Sequence, residues 1–186
     1  MKKARYFLIL SFAFLFITAC KDNNNNDDTS IISDDNFYKS VGNTLIKTYV
    51  EIFNEVLDTM PVGNINVNVN ILGGSVIITG TDAYDTTTKV TTADLIFNMT
   101  DIKYIYLYND GSSNWSTELT LNGVTTYKGT FSSSAKDVTH HSDILSIKGS
   151  VTYKGNVRII DGQGAVDIAR KTNATTVSIF GHTVAW

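Results

Sequence analysis

The sequence predicts an α+β domain: one N-terminal amphipathic helix packed on a curved, mostly antiparallel β-meander, open and barrel-like. Three observations carry this. Apolar residues recur at three- and four-residue spacing from Phe37 to Met60, the period switches to two after Gly63, and short turn signals then punctuate the chain to its end. A helix with one apolar stripe and a sheet with one apolar face bury each other when the helix lies across the sheet.

The helical stripe reads Phe37, Val41, Leu45, Tyr49, Ile52, Phe53, Val56, Leu57 and Met60. Ser33, Asp34 and Asp35 supply an N-cap and negative charge at the positive end of the helix dipole, and Pro61 with Gly63 ends it. Lys39 and Lys47 are its only cations, unlike the basic face of a membrane-lying helix, so the stripe is assigned to the core.

From Asn64 to Ile71 the alternation is unbroken, which places Ile65, Val67, Val69 and Ile71 on one face. Gly73-Gly74 reads as a hairpin loop, and Asp110-Gly111, Asn122-Gly123 and Asp161-Gly162 as further turns. Strands are expected at 88 to 98, 102 to 108, 117 to 121, 124 to 131, 144 to 153, 157 to 160, 165 to 169 and 175 to 180, with Thr183 to Trp186 closing the chain. Gly123-Val124-Thr125-Thr126-Tyr127-Lys128-Gly129 aligns with Gly149-Ser150-Val151-Thr152-Tyr153-Lys154-Gly155, which suggests two equivalent hairpins but no solenoid. Trp186, with Val184 and Phe180, is similar to the closing strand of outer-membrane barrels. Segments as short as 117 to 121 fall below the ~9 to 11 residues a spanning strand needs, so a soluble domain is expected.

Composition excludes one class of partner. The chain has 15 basic and 18 acidic residues, and after Lys21 the basic ones are scattered from Lys39 to Lys171, singly except for Arg170-Lys171, with no clustered face to release counterions from nucleic acid.

The first residues carry an address. Lys2, Lys3 and Arg5 precede an apolar run, Tyr6 to Ile17, that is too short to span a bilayer, and Ile17-Thr18-Ala19-Cys20 follows with the chain's one cysteine. This pattern resembles a bacterial lipobox. The resemblance implies a signal peptide over 1–19, cleavage before Cys20, diacylglycerol on its sulfur and a further acyl chain on the new amino terminus. It also implies an outer-membrane lipoprotein of the cell envelope. Two or three chains make such an anchor effectively permanent. Residues 20–35 would form the acylated start and a disordered tether, since Lys21 to Ser30 offers nothing apolar to bury, and 36–186 a single domain. Cys20-Lys21-Asp22 resembles the export signals of surface lipoproteins in Bacteroidota, with Asn23 where a second acidic residue is usual. Asp58-Thr59-Met60 and Asp85-Thr86-Thr87 are similar to O-glycosylation triplets of that phylum. With Cys20 acylated, no thiol remains for a disulfide, a nucleophile or zinc.

Chemistry-bearing motifs are sparse. His140-His141 resembles a metal-ligand pair, with Asp137, Asp143 and His182 as completing groups, but neighbours on a strand point to opposite sides; a loop is expected, with no metal and no cofactor. Asp161-Gly162-Gln163-Gly164 lacks the lysine and helix of a phosphate loop. Ser132-Ser133-Ser134 is not a nucleophile elbow. Glu118 and Asp167 are the strand acids available to a glycosidase. The aromatic pattern is the better lead. Tyr104, Tyr106 and Tyr108 alternate in Ile102-Lys103-Tyr104-Ile105-Tyr106-Leu107-Tyr108, with Ile105 and Leu107 expected in the core and the tyrosines under a second layer or exposed beside Trp115. The sequence therefore favours a non-enzymatic, lipid-anchored domain whose tyrosines and Trp115 bind a glycan or protein. The alternatives are a carrier of an apolar ligand held between helix and sheet, and a hydrolase.

Overall fold

The computed structural model describes residues 32–56, 63–111, 113–132 and 134–186. The export segment, Cys20, most of the tether, Leu57, Pro61 and the triplet Asp58-Thr59-Met60 lie outside the described residues. Helix α1 (Asp34–Val56) precedes eight strands: β1 (Gly63–Ile71), β2 (Gly74–Asp85), β3 (Val90–Asn109), β4 (Asn114–Phe131), β5 (Lys136–Tyr153), β6 (Asn156–Lys171), β7 (Ala174–Ile179) and β8 (His182–Ala185). They form one sheet in chain order, each neighbouring pair antiparallel, and the sheet is not closed. This is an α+β meander.

α1 begins as its sequence dictates, with the Asn36 amide donating to Ser33 Oγ at 3.4 Å and the Phe37 amide to the Ser33 carbonyl at 2.9 Å. Phe37, Val41, Leu45, Tyr49, Ile52 and Val56 are buried against the sheet. The same face buries three hydroxyls. Thr44 and Thr48 donate to the carbonyls one turn back, each at 2.8 Å, and Ser40 pairs with Thr117 of β4 at 2.6 Å, so none is left unmet. Gly42 lets the helix approach closely, since a Cβ there would lie 3.1 Å from Val177 and 3.2 Å from Trp186. The helix touches β1 and β8, at the two ends of the strand order, as well as β3, β4, β5 and β7.

Several expected turns are strand interior. β4 runs through Asn122-Gly123, β6 through Asp161-Gly162, and β5 carries both His140 and His141, which the sequence placed in a loop. Gly162 makes room instead of turning: a Cβ on it would meet the Phe180 ring at 2.6 Å. The two aligned heptapeptides are not equivalent hairpins. Residues 123–129 lie within β4, whereas 149–155 run out of β5 into the turn at Lys154-Gly155.

A β-bulge decides which face the tyrosines take. Ala93, Leu95, Phe97 and Met99 face the helix, the β3–β4 register slips between Met99 and Ile102, and the even-numbered Ile102 is the next buried residue. One extra residue reverses the alternation. Asp101 adopts φ +52° there, its amide donates to Asn122 Oδ1 at 2.9 Å, and Asn122 Nδ2 donates back to its carboxylate at 3.1 Å. Hence the expectation for Ile105 and Leu107 is overturned: they are 56% and 69% exposed on the outer face, and Tyr104, Tyr106 and Tyr108 lie half-buried on the helix side.

Candidate functional site: the open half of β3

β2 pairs with β3 only from Val90 to Thr100, so Ile102–Asn109 has β4 on one side and, among the described residues, no strand on the other. The Lys103 amide donates to the Leu72 carbonyl at 2.9 Å, away from β4, which fixes the direction of the alternation. Ile105 and Leu107 therefore aim their main-chain N–H and C=O groups at the open side. Beyond Lys103 the edge carries no charge until Asp110, and such an edge is a template for another strand.

At the opposite edge, residues 156–164 of β6 likewise have no strand beyond them among the described residues, and Val157 and Ile159 are exposed there. β7 pairs with β6 only from Val166 to Lys171. Below that, Phe180 donates its amide to the Ala165 carbonyl at 2.9 Å and lies over Gly162 and Gly164. Arg158 of β6 is tied to the start of α1 by Asp34 at 2.6 Å and by the Ile32 carbonyl at 3.3 Å.

On the helix side Tyr106 and Tyr108 belong to a ladder of rings. Tyr106 stacks on Tyr108 with centroids 5.6 Å apart, Tyr108 on Trp115 at 5.8 Å, and Trp115 on Tyr153 at 4.0 Å. The polar flank of α1 borders the row, and Lys47 Nζ sits 5.7 Å from the Tyr106 ring. Partial burial raises all three phenol pKa values, that of Tyr108 to about 12, with Glu51 adding to the rise at Tyr104 and Ser40 opposing it at Tyr108, so the hydroxyls stay protonated donors at neutral pH. Trp115 is buried, its Nε1 donating to Asp110 at 2.8 Å. Because the rings cover one another's faces, a sugar would find mostly their edges.

The sequence missed a second feature, a cleft enclosing about 80 Å³ between the C-terminal half of α1 and strands β4 to β6. Tyr49, Phe53, Tyr127, His140 and Arg170 line it. His140 is 4% exposed, stacks on Tyr49 at 4.2 Å, and its Nδ1 has no hydrogen-bond partner among the described residues. Burial, with Arg170 adding to it, pushes its pKa down to about 3. Small-molecule sites usually occupy ~300 to 1,000 Å³, well beyond this cleft.

The remaining candidates do not converge. His141 is exposed, bonded through Nδ1 to Asp167 at 2.6 Å and through Nε2 to Asp143 at 3.1 Å, and these carboxylates raise its pKa. His182 stacks on Tyr38 at 4.2 Å and faces Asp35, on the helix side of the sheet. Among the described residues no three metal-binding side chains are grouped to hold an ion. Glu118 lies opposite Ser150, while Asp167 sits in the row of His141 and Thr126, roughly 25 Å along the strand at ~3.3 Å per residue, too far for a glycosidase pair. Asp85-Thr86-Thr87 forms the β2–β3 turn, where Asp85 accepts the Thr87 amide at 2.7 Å. Among the described residues no helix is long and apolar enough to cross a membrane. Set against known protein families, curated proteins and solved structures, the chain has no match.

Proposed function

We propose that this chain is a lipid-anchored protein of the bacterial cell envelope that binds another polypeptide without catalysis, using Ile102–Asn109 of β3 as an edge onto which a strand is added. The lipobox-like Cys20 and polar tether supply the anchor, and the sheet curling round α1 as an open trough supplies a rigid mount. The carrying observation is the unpaired edge at Ile105 and Leu107, apolar on the outer face and aromatic on the other. Main-chain hydrogen bonds would give affinity, and the alternating side chains selectivity. A protein partner is favoured over a glycan because Tyr106, Tyr108 and Trp115 stack on one another. The size of the cleft beside His140 argues against an apolar-ligand carrier.

Photocrosslinking in cells tests this reading. A benzophenone amino acid at Leu107 should yield a discrete polypeptide adduct, while the same probe at Asn68, on a polar strand face, yields none. Metabolic palmitate labelling should mark the chain, and Cys20→Ala should abolish the label. An unlabelled chain, or adducts at 107 that periodate destroys and protease does not, would overturn the proposal.

A further inference from the structure

We infer that the open edge of β3 pairs with the same edge of a second copy of this chain, forming a two-fold dimer centred on Tyr106. This rests on the reading of the edge as a strand-accepting site and names its occupant. The chain reads Lys103-Tyr104-Ile105-Tyr106-Leu107-Tyr108-Asn109, a pattern nearly symmetric about Tyr106. An antiparallel pairing about that centre sets Ile105 opposite Leu107 of the second copy, Tyr104 opposite Tyr108, and Lys103 opposite Asn109 beside Asp110. Like meets like on both faces, and the one basic side chain of the segment meets an acidic neighbourhood.

The hydrogen-bond direction is met in this register. Odd-numbered residues present their main-chain groups outward, as the Lys103–Leu72 bond shows, so Ile105 and Leu107 of the two copies form the hydrogen-bonded pairs. That gives four main-chain hydrogen bonds before the β1–β2 turn at Leu72 ends the ladder. The outer face gathers Ile105 and Leu107 from both copies, which removes the largest exposed aliphatic side chains of β3 from water. A two-fold axis also points the wider halves of the two sheets, where β1–β2 and β7–β8 lie, in opposite directions, so they do not collide. The matching stretch of β6, also without a strand beyond it among the described residues, carries Arg158 and Asp161 and has no such symmetry, so it is the weaker candidate.

Tyr106 would face its own copy across a non-hydrogen-bonded position, where Cα atoms lie ~4.5 Å apart, within the range a disulfide spans. The test uses the full chain carrying Cys20→Ser. Tyr106→Cys should cross-link to a covalent dimer on mild oxidation, Ile159→Cys on β6 should not, and adding Leu107→Pro to Tyr106→Cys should lower the yield about tenfold with the circular dichroism unchanged, since proline is tolerated at an edge but cannot donate. Sedimentation should show a concentration-dependent dimer that Leu107→Pro dissociates. A monomer at every concentration with no Tyr106→Cys dimer, or cross-linking through Ile159→Cys instead, would overturn the inference. If the chain is monomeric while Leu107 photocrosslinks a polypeptide of another mass in cells, the edge is a binding strand and only the second copy is wrong.

Discussion

His140 and His141, adjacent in β5, experience opposite electrostatics: His140 stacks at 4.2 Å on the Tyr49 ring inside the core, and His141 is held between Asp167 and Asp143 on the outer face. Alternation on a strand places them so. Two histidines that the sequence offers as one metal-like pair are, in the fold, a buried neutral ring and a surface ion-pair partner.

Acid should therefore destabilise the protein through His140. Its pKa is depressed in the folded state to about 3 from the ordinary 6.5, so the unfolded chain binds the proton first, and stability present above pH 6.5 is lost as pH falls toward 3. The slope approaches ~1.4 kcal/mol per pH unit. Urea melts between pH 7 and 4 should show a smaller loss for His140→Phe than for the native chain. His141 acts in the other sense: its raised pKa adds stability at low pH that is lost as pH rises through the folded value, though solvent screening makes it small.

The hydroxyl of Tyr49 is bonded to Thr125 at 2.9 Å with both groups buried, and burial raises the phenol to about 12. Tyr49→Phe should cost about 1–3 kcal/mol because it strands the threonine hydroxyl. The double variant Tyr49→Phe, Thr125→Val should recover part of that loss in denaturant melts. A double-mutant cycle showing no coupling would refute the bond.

The Asp101–Asn122 clamp should be worth measuring at the face-switching bulge. Asn122→Ala removes both bonds of the pair and should lower stability by about 1 kcal/mol. Deleting Asp101 should be far worse, since it would turn the tyrosines outward and bring Ile105 and Leu107 under the helix. Tyrosine absorbance and melting temperature report both effects.

On β6, Gly162→Ala should displace Phe180, whose ring lies 2.6 Å from the added methyl position. A cost of about 1–3 kcal/mol is expected from overpacking. Adding Phe180→Ala should make the Gly162→Ala change tolerable again in denaturant melts, since the ring that the methyl would meet is gone.

The helix, its cap and its buried stripe were legible because the 3.6-residue period is long and unbroken, and the first strand because its alternation is perfect. The face of Tyr104 to Tyr108 was not legible. A single extra residue at Thr100-Asp101 inverts everything after it, and no local propensity marks that position; its one trace is a polar Asp and Asn whose pairing depends on register. The same holds for His140 and Arg170, which share a cleft only because β5 and β6 are adjacent. Glycines within long strands misled the reading of turns, since Gly162 admits a distant ring and does not bend the chain.

Amide exchange at Ile105 and Leu107 tests the strand-accepting edge most directly. In dilute protein both amides should exchange near their intrinsic rates while those of Tyr104 and Tyr106, directed at β4, are protected. A synthetic peptide spanning residues 101–110 should then slow Ile105 and Leu107 by at least about tenfold and leave the rest of the sheet unchanged. Amides already protected in the dilute monomer, or unaffected by saturating peptide, would contradict it.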